Sequence, residues 1–260
     1  MKMGLDGSKK VYAIVPAFNE AENLPRLLDQ LAPALERLGV PWRLVVIDDG
    51  SWDGSPFVAR ALARDYPVEL ITQPYNRGPG AAFKAGFDWV LSRADEDDAL
   101  LTLEADTTSD VSILPEMWAR FQDGADVVLA SPYHPEGGVG DLAWTRRVLS
   151  RVANAGLRYV FDLEHIHTLS SFFRFYRASL LRRAVVVYGD DLMKEPGFAA
   201  VVELLIHLGK MNAAIEEVPM YLEPSRRRGE SRMKVLRTVH AYLRMSLRLL
   251  GEEFIPRASA

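Results

Sequence analysis

The chain has 260 residues, enough for one large domain, and 48 % of them are apolar, ample for a sizeable core. Without cysteine it has no disulfide, no thiolate metal site and no thiol nucleophile, a composition that suits a reducing cytoplasm. Lys and Arg number 31 against 35 Asp and Glu, and a net charge of −4 argues against nucleic acid as the main partner.

Residues 1–10 are polar, and Val11–Ala17 is too short for a secretory leader and runs into Pro16. Val11–Val15 is predicted as a strand. Ala21–Leu38 reads as a helix with Leu24, Leu27, Leu28, Leu31 and Leu35 on one face. Arg43–Ile47 is a second strand, followed by a helix over Ser55–Arg64. Val68–Thr72 is a third strand, and Gly80–Leu91 a helix with Pro79 at its first turn. Ala99–Leu103, helical Val111–Phe121 and Asp126–Ala130 complete the regular half. Beyond it, Leu142–Tyr159 reads as a helix and Ser170–Tyr176 as a core strand. Phe198–Leu208 is an apolar helix, Ala213–Val218 a strand ended by Pro219, and Ser231–Leu250 a long helix. No run reaches the roughly 20 apolar residues that span a bilayer. A soluble or peripherally attached protein is expected.

Strand–helix alternation of this kind predicts an α/β fold, a Rossmann-like, mainly parallel sheet flanked by helices. Right-handed crossovers place the strand carboxyl ends along one edge, where open sheets bind ligands. Four unusual loops fall there: Pro16-Ala17-Phe18-Asn19-Glu20, Asp48-Asp49-Gly50-Ser51, Asn76-Arg77-Gly78-Pro79-Gly80 and Glu104-Ala105-Asp106. Each alone reads equally as turn chemistry. Together they describe a site. Glu104 and Asp106, two apart on extended chain, point the same way and repel unless a cation joins them. Mg²⁺ or Mn²⁺, with phosphate oxygens completing the shell, fits that role. Asp48 is expected to accept from a base N–H or a ribose hydroxyl, and Asp53 to cap a helix. Gly78 and Gly80 open a helix that either receives a phosphate or simply starts.

The residues resemble a known family. Val-Tyr-Ala-Ile-Val-Pro-Ala-Phe-Asn-Glu-Ala-Glu-Asn-Leu at 11–24, Val-Val-Ile-Asp-Asp-Gly-Ser-Trp-Asp-Gly-Ser at 45–55 and Asn-Arg-Gly-Pro-Gly-Ala-Ala-Phe-Lys-Ala-Gly at 76–86 resemble the signatures of inverting family-two glycosyltransferases. Thr145–Ser150, Ser170–Arg174, Glu217-Val218-Pro219 and Arg226 ahead of Gly229-Glu230-Ser231 are similar to dolichol- and polyprenol-phosphate sugar synthases. The resemblance implies a GT-A fold and transfer of one sugar from a GDP- or UDP-sugar to a lipid phosphate. It implies that Pro16, Phe18, Glu20 and Asp48 line the nucleoside pocket, with Lys84 and Ala105 placed in the same nucleotide-binding set. It assigns Glu104 and Asp106 to the metal and diphosphate, Arg226 to the donor phosphates, and Arg146 and Ser150 to the acceptor phosphate. Three positions depart from the family pattern. Glu104 stands where Asp is usual, and Thr108 where Gln often follows. Pro132 stands after Ser131 where an acceptor-binding Arg is common.

Residues 1–230 are therefore expected to form the catalytic domain, with an amphipathic helix and tail over 231–260. Arg226, Arg227, Arg228, Arg232, Lys234, Arg237, Arg244 and Arg248 make that end basic. Val235, Leu236, Val239, Tyr242, Leu243, Leu247 and Leu250 give the helix an apolar stripe, which suits either a membrane interface or packing on protein. No Glu-Asp pair stands in the second half to act as general base. A phosphate acceptor, already anionic near pH 7, needs none. Asp190, Asp191 and Glu195 read as solvated loop acids, and His165 and His167 as surface or core histidines. His134 lies unassigned in a Pro- and Gly-rich loop near the acceptor side. The competing readings are a soluble or glycan acceptor, a nucleotidyltransferase, and a non-catalytic nucleotide-binding protein.

Overall fold

A computed structural model describes residues 9–141, 144–228 and 235–251, with the side chains of 144–150 and 235–236 outside the description. Seven strands form one sheet: β1 (Val11–Ala17), β2 (Trp42–Asp48), β3 (Val68–Thr72), β4 (Ala99–Thr102), β5 (Val127–Ser131), β7 (Arg174–Arg177) and β8 (Ile215–Pro219). Their order across it is β3-β2-β1-β4-β7-β5-β8. Two further short strands, β6 (Gly138–Val139) and β9 (Tyr221–Leu222), pair in parallel beside it. All sheet pairings are parallel except those of β7, which runs antiparallel to both β4 and β5. The strand order reverses between β1 and β4, which opens the crevice that parallel sheets use for ligands.

The sheet separates two apolar cores. On one face lie α1 (Asn23–Glu36), α2 (Ser55–Leu62) and α4 (Leu114–Gln122). The leucine stripe expected on α1 is there: Leu24, Leu27, Leu28, Leu31 and Leu35 are all buried, each worth about 1.5–3 kcal/mol of hydrophobic burial. On the other face lie α3 (Pro79–Leu91), α5 (Trp144–Val160), α6 (Ala178–Tyr188), α7 (Ala200–Lys210) and α8 (Val235–Gly251). Along β4 the faces alternate: Leu100 enters the second core, Leu101 the first.

Three features differ from expectation. The strand predicted over Ser170–Tyr176 pairs only from Arg174 onward, because Thr168–Phe173 crosses the sheet edge instead. Helix α6 went unpredicted, since its run Val185-Val186-Val187 is β-branched. Glu195 is not a solvated acid. It is 5 % exposed and accepts from Arg244 Nη2 at 2.7 Å, while the fully buried Glu203 accepts from Arg248 Nη2 at 2.6 Å. Asp190 and Asp191 are exposed, as expected.

Those two ion pairs hold α8 onto the protein, with Met245 and Leu249 buried beneath it. Of the two roles open to this helix, packing on protein is observed through Arg244 and Arg248. Leu243, Leu247 and Leu250 remain outward, 62 %, 74 % and 59 % exposed. Among the described residues no helix is long and apolar enough to cross a membrane.

Packing also explains the glycines that open α3. Gly78 has φ 96° and ψ 162°, a region essentially restricted to glycine. A Cβ there would stand 2.5 Å from the Pro196 carbonyl oxygen. Gly39 also has a positive φ, 69°, but open space around it. Gly39→Ala should cost only the left-handed penalty of about 1–2 kcal/mol. Gly78→Ala should add a collision of about 1–3 kcal/mol. The two thermal midpoints should separate by roughly 2–4 °C for each kcal/mol. Equal midpoints would refute the packing account.

Candidate active site

The crevice between β1 and β4 is walled by three stitched loops. After β1, Asn19 turns with φ 55° and its N–H donates to Ser51 Oγ at 2.9 Å. Its side-chain oxygen accepts from Trp52 N–H at 3.0 Å, and Glu20 N–H donates to Ser55 Oγ at 2.8 Å. Asp53 caps as expected, accepting from the N–H groups of Ser55 (2.9 Å) and Ala21 (3.2 Å). Phe18 meets the exposed ring of Trp52 edge-on, with centroids 5.1 Å apart.

Asp48 and Asp49 end β2 with different duties. Asp49 accepts from Arg77 N–H at 2.9 Å and Gly78 N–H at 2.8 Å, bracing the next loop. Burial pushes its pKa up, partly offset by those two hydrogen bonds. Asp48 is 1 % exposed. Its Oδ1 accepts from Ser51 N–H at 3.2 Å, while Oδ2 is buried with no protein partner. Such an acceptor costs about 1–3 kcal/mol until a donor reaches it.

The glycine loop resolves toward a plain, close-packed helix start. Gly80 N–H donates to the Pro196 carbonyl at 2.8 Å, and a Cβ at Gly80 would collide with Glu195 O. Residues 195–197 thus cover the α3 amino terminus that a phosphate would otherwise approach. Lys84, further along α3, pairs with Asp190 at 3.5 Å.

After β4 the buried Ala105 joins the first core and leaves Glu104 and Asp106 for the site. Asp106 is 4 % exposed. Its Oδ1 accepts from the Thr108 N–H (3.1 Å) and hydroxyl (2.7 Å), so Thr108 orients the carboxylate. Its Oδ2 accepts from Arg227 Nε at 2.7 Å and also from Arg227 Nη2. The same Nη2 lies 3.8 Å from Glu104 Oε1. Two carboxylates converging on one cationic group present the hard oxygen set that Mg²⁺ or Mn²⁺ takes, so the residues fit such an ion.

Arg227, not Arg226, is the arginine that reaches the acids. Arg226 is exposed and contributes its carbonyl, which accepts from Arg26 Nη1 and the Thr107 hydroxyl, both at 3.2 Å. The Arg228 carbonyl accepts from Asn23 Nδ2 at 3.1 Å, and that amide also donates to Glu20 Oε2 at 2.6 Å. Residues 226–228 therefore lie across α1 and the acidic loop. Thr107 sits under them at φ 62°, an outlier for a β-branched residue. Three consecutive arginines look alike in a sequence; the chain path alone selects the middle one. Arg146 and Ser150, the expected acceptor residues, lie on α5, and their side chains fall outside the described residues.

Comparison with known proteins places the chain in a family. The glycosyl transferase family 2 domain matches residues 12–184. The polyprenol monophosphomannose synthase of Mycolicibacterium smegmatis is 30 % identical over 215 residues, 82 % of this chain and 77 % of that protein. The dolichol-phosphate mannosyltransferase of Pyrococcus furiosus is 30 % identical over 248 residues, 94 % of this chain and 64 % of that protein. Among solved structures, a glucosyl-3-phosphoglycerate synthase from Mycobacterium tuberculosis, in complex with Mn²⁺, UDP and phosphoglyceric acid, superposes with a TM-score of 0.62. It is 19 % identical, covering 94 % of this chain and 78 % of the other, a likeness of fold. The chain belongs to glycosyl transferase family 2, a nucleotide-sugar glycosyltransferase built on the GT-A fold.

Proposed function

We propose that the protein transfers one sugar from a GDP- or UDP-sugar to a polyprenyl or dolichyl phosphate with inversion. The observation that carries this reading is the convergence of Glu104, Asp106 and Arg227 in the crevice that Asp48 also borders. The names of the two sequence relatives above, a polyprenol monophosphomannose synthase and a dolichol-phosphate mannosyltransferase, support the acceptor.

In this reading Pro16, Phe18 and Glu20 border the nucleoside, and the spare Asp48 Oδ2 accepts from the base or ribose. A divalent cation bound by Asp106 and Glu104 would offset negative charge on the diphosphate. Mn²⁺ in the structural neighbour supports a metal of this class. Arg227 is within reach to exchange one carboxylate for a diphosphate oxygen, a charge-assisted contact of the same kind. An acceptor phosphate oxygen attacks the anomeric carbon. The bond from that carbon to the diphosphate breaks, and the diphosphate keeps the electron pair. The nucleophile is already anionic, so no general base is required. Arg146 and Ser150 are assigned to the acceptor phosphate.

Residues 1–230 serve as the catalytic domain, and the 231–260 segment adds α8 as an outer layer. The outward row Leu243, Leu247 and Leu250 would rest on the cytoplasmic membrane face where the lipid acceptor resides. A soluble acceptor is the second reading, favoured by the phosphoglyceric acid in the structural neighbour.

Asp106→Asn should lower kcat by about 10³-fold or more and abolish dependence on Mn²⁺. Arg227→Gln should lower kcat about 10²-fold, whereas Arg226→Gln should cost far less. Steady-state kinetics of the three variants would refute the assignment if Arg226→Gln proved the more damaging arginine change. A thermal-shift panel of UDP-, GDP- and dTDP-sugars with Mn²⁺ should show stabilisation by one donor class; none by any would sink the donor reading. Replacing Leu243 and Leu247 together by Ser should reduce sedimentation with anionic liposomes severalfold without lowering the thermal midpoint, because both side chains are exposed. Undiminished sedimentation would remove α8 from the membrane contact.

A further inference from the structure

Position 132 is where this chain lacks an arginine that the acceptor reading would use; it carries proline. The structure places other cations around that position. Two adjoining hollows of about 200 and 270 Å³ open beside the end of β5, sharing Tyr133 and Arg151 in their walls. His134 lines the first, and Arg158 and His167 line the second. No carboxylate lines either hollow among the described residues.

The hollows are held by a buried scaffold. Glu217, on β8, has a side chain 7 % exposed. It accepts from His167 N–H at 2.8 Å, from Thr168 N–H at 2.9 Å and from His167 Nδ1 at 2.7 Å. Holding Nδ1 with a carboxylate leaves Nε2 as the free edge of that ring. The His134 ring lies 5.1 Å away, and its Nδ1 accepts from Glu136 N–H at 3.2 Å. That bond assigns the His134 proton to Nε2, a donor. Thr168 is bonded to Ser131 Oγ at 2.7 Å and accepts from Tyr133 N–H at 3.1 Å, fixing the β5 exit against the histidine loop. Arg151 lies over the Tyr133 ring at 5.9 Å. Arg158 donates through Nη2 to the Glu164 carbonyl and keeps a buried Nε with no protein partner.

The location suits the reaction. β4 and β5 flank β7, so their carboxyl ends are roughly 10 Å apart at ordinary strand spacing. Both tips are tied to one segment: Thr102 Oγ1 donates to the Phe172 carbonyl at 2.6 Å, and Ser131 bonds Thr168. A sugar held at Asp106 and an anion held beside Ser131 would thus share the same edge.

We propose that Arg151, His167 and His134 form a phosphomonoester subsite that takes over the role of the arginine missing at 132, and that Arg158 supports it; this rests on the phosphate-acceptor reading above. A phosphomonoester is part monoanion and part dianion near pH 7. Its oxygens can therefore meet His167 Nε2 with the proton on either partner, while Arg151 and His134 donate.

The test uses the full chain with Arg151→Gln and His167→Gln. Steady-state transfer is measured to farnesyl phosphate in detergent and to phosphoglyceric acid, with inorganic phosphate as competitor. Each variant should raise the acceptor KM about tenfold, the loss of one charge-assisted hydrogen bond. Inhibition by inorganic phosphate should weaken in parallel, with the nucleotide-sugar KM unchanged in both variants and the thermal midpoint unchanged in Arg151→Gln. If farnesyl phosphate is a substrate and both variants keep its KM within twofold, the subsite is wrong and the lipid reading stands. If only phosphoglyceric acid is glycosylated and its KM rises in the variants, the subsite stands and the lipid reading falls. If neither compound is glycosylated while a phosphate-free hydroxyl acceptor is, both fall.

Discussion

A carboxylate that is 4 % exposed cannot remain charged without a partner, and Asp106 organises its surroundings around that constraint. Thr108 satisfies one oxygen with two hydrogen bonds, and Arg227 satisfies the other with two more. Each commitment propagates. Thr107 is driven to positive φ between them, and its hydroxyl fastens the Arg226 carbonyl. The Thr108 carbonyl accepts from Glu223 N–H at 3.0 Å. Through these bonds the 223–228 loop, more than a hundred residues downstream, is fitted onto the end of β4.

The opposite wall follows a complementary logic. Two adjacent aspartates close β2, and only one is fully bonded within the protein. Asp49 holds the Arg77-Gly78 backbone and thereby presses α3 against residues 195–197. Asp48 keeps one buried oxygen unmatched. A fold that buries two neighbouring carboxylates and leaves one unsatisfied carries a local energetic cost, a pattern found at ligand sites rather than in cores.

Much of this was legible in the sequence, for identifiable reasons. Parallel strands buried on both faces read as continuous apolar runs, so Leu44–Ile47 and Ala99–Leu103 stood out. The loops after β1, β2 and β4 carried their chemistry in residue type, and the leucine stripe of α1 in its period. What stayed hidden depends on chain path. Arg226, Arg227 and Arg228 are indistinguishable by type or neighbourhood; hydrogen bonds to the first and third carbonyls turn the middle side chain inward. Gly78 and Gly80 matched both a phosphate loop and a tight contact, and only the position of Pro196 separates the two. The ties of His167 to Glu217 and of Arg248 to Glu203 span 50 and 45 residues, beyond any local pattern.

Helix α8 shows how one amphipathic sequence can serve two surfaces. Its arginines at 244 and 248 both end on buried glutamates. Glu195 and Glu203 would be costly without them: Glu203 also accepts from Glu195 N–H at 2.8 Å, so removing Arg248 would strand a bonded but uncompensated charge. Docking by charge frees the apolar residues of the helix from docking by burial. Met245 and Leu249 lie underneath with Ala241 and Tyr242 packed beside them, and Leu243, Leu247 and Leu250 are left outward as a row. The usual polarity of a surface helix, apolar inward and charged outward, is here partly inverted. An exposed leucine row has no stabilising role in water. Its outward position, beside ion pairs that set the orientation of the helix, is the surface that the proposed membrane contact would use.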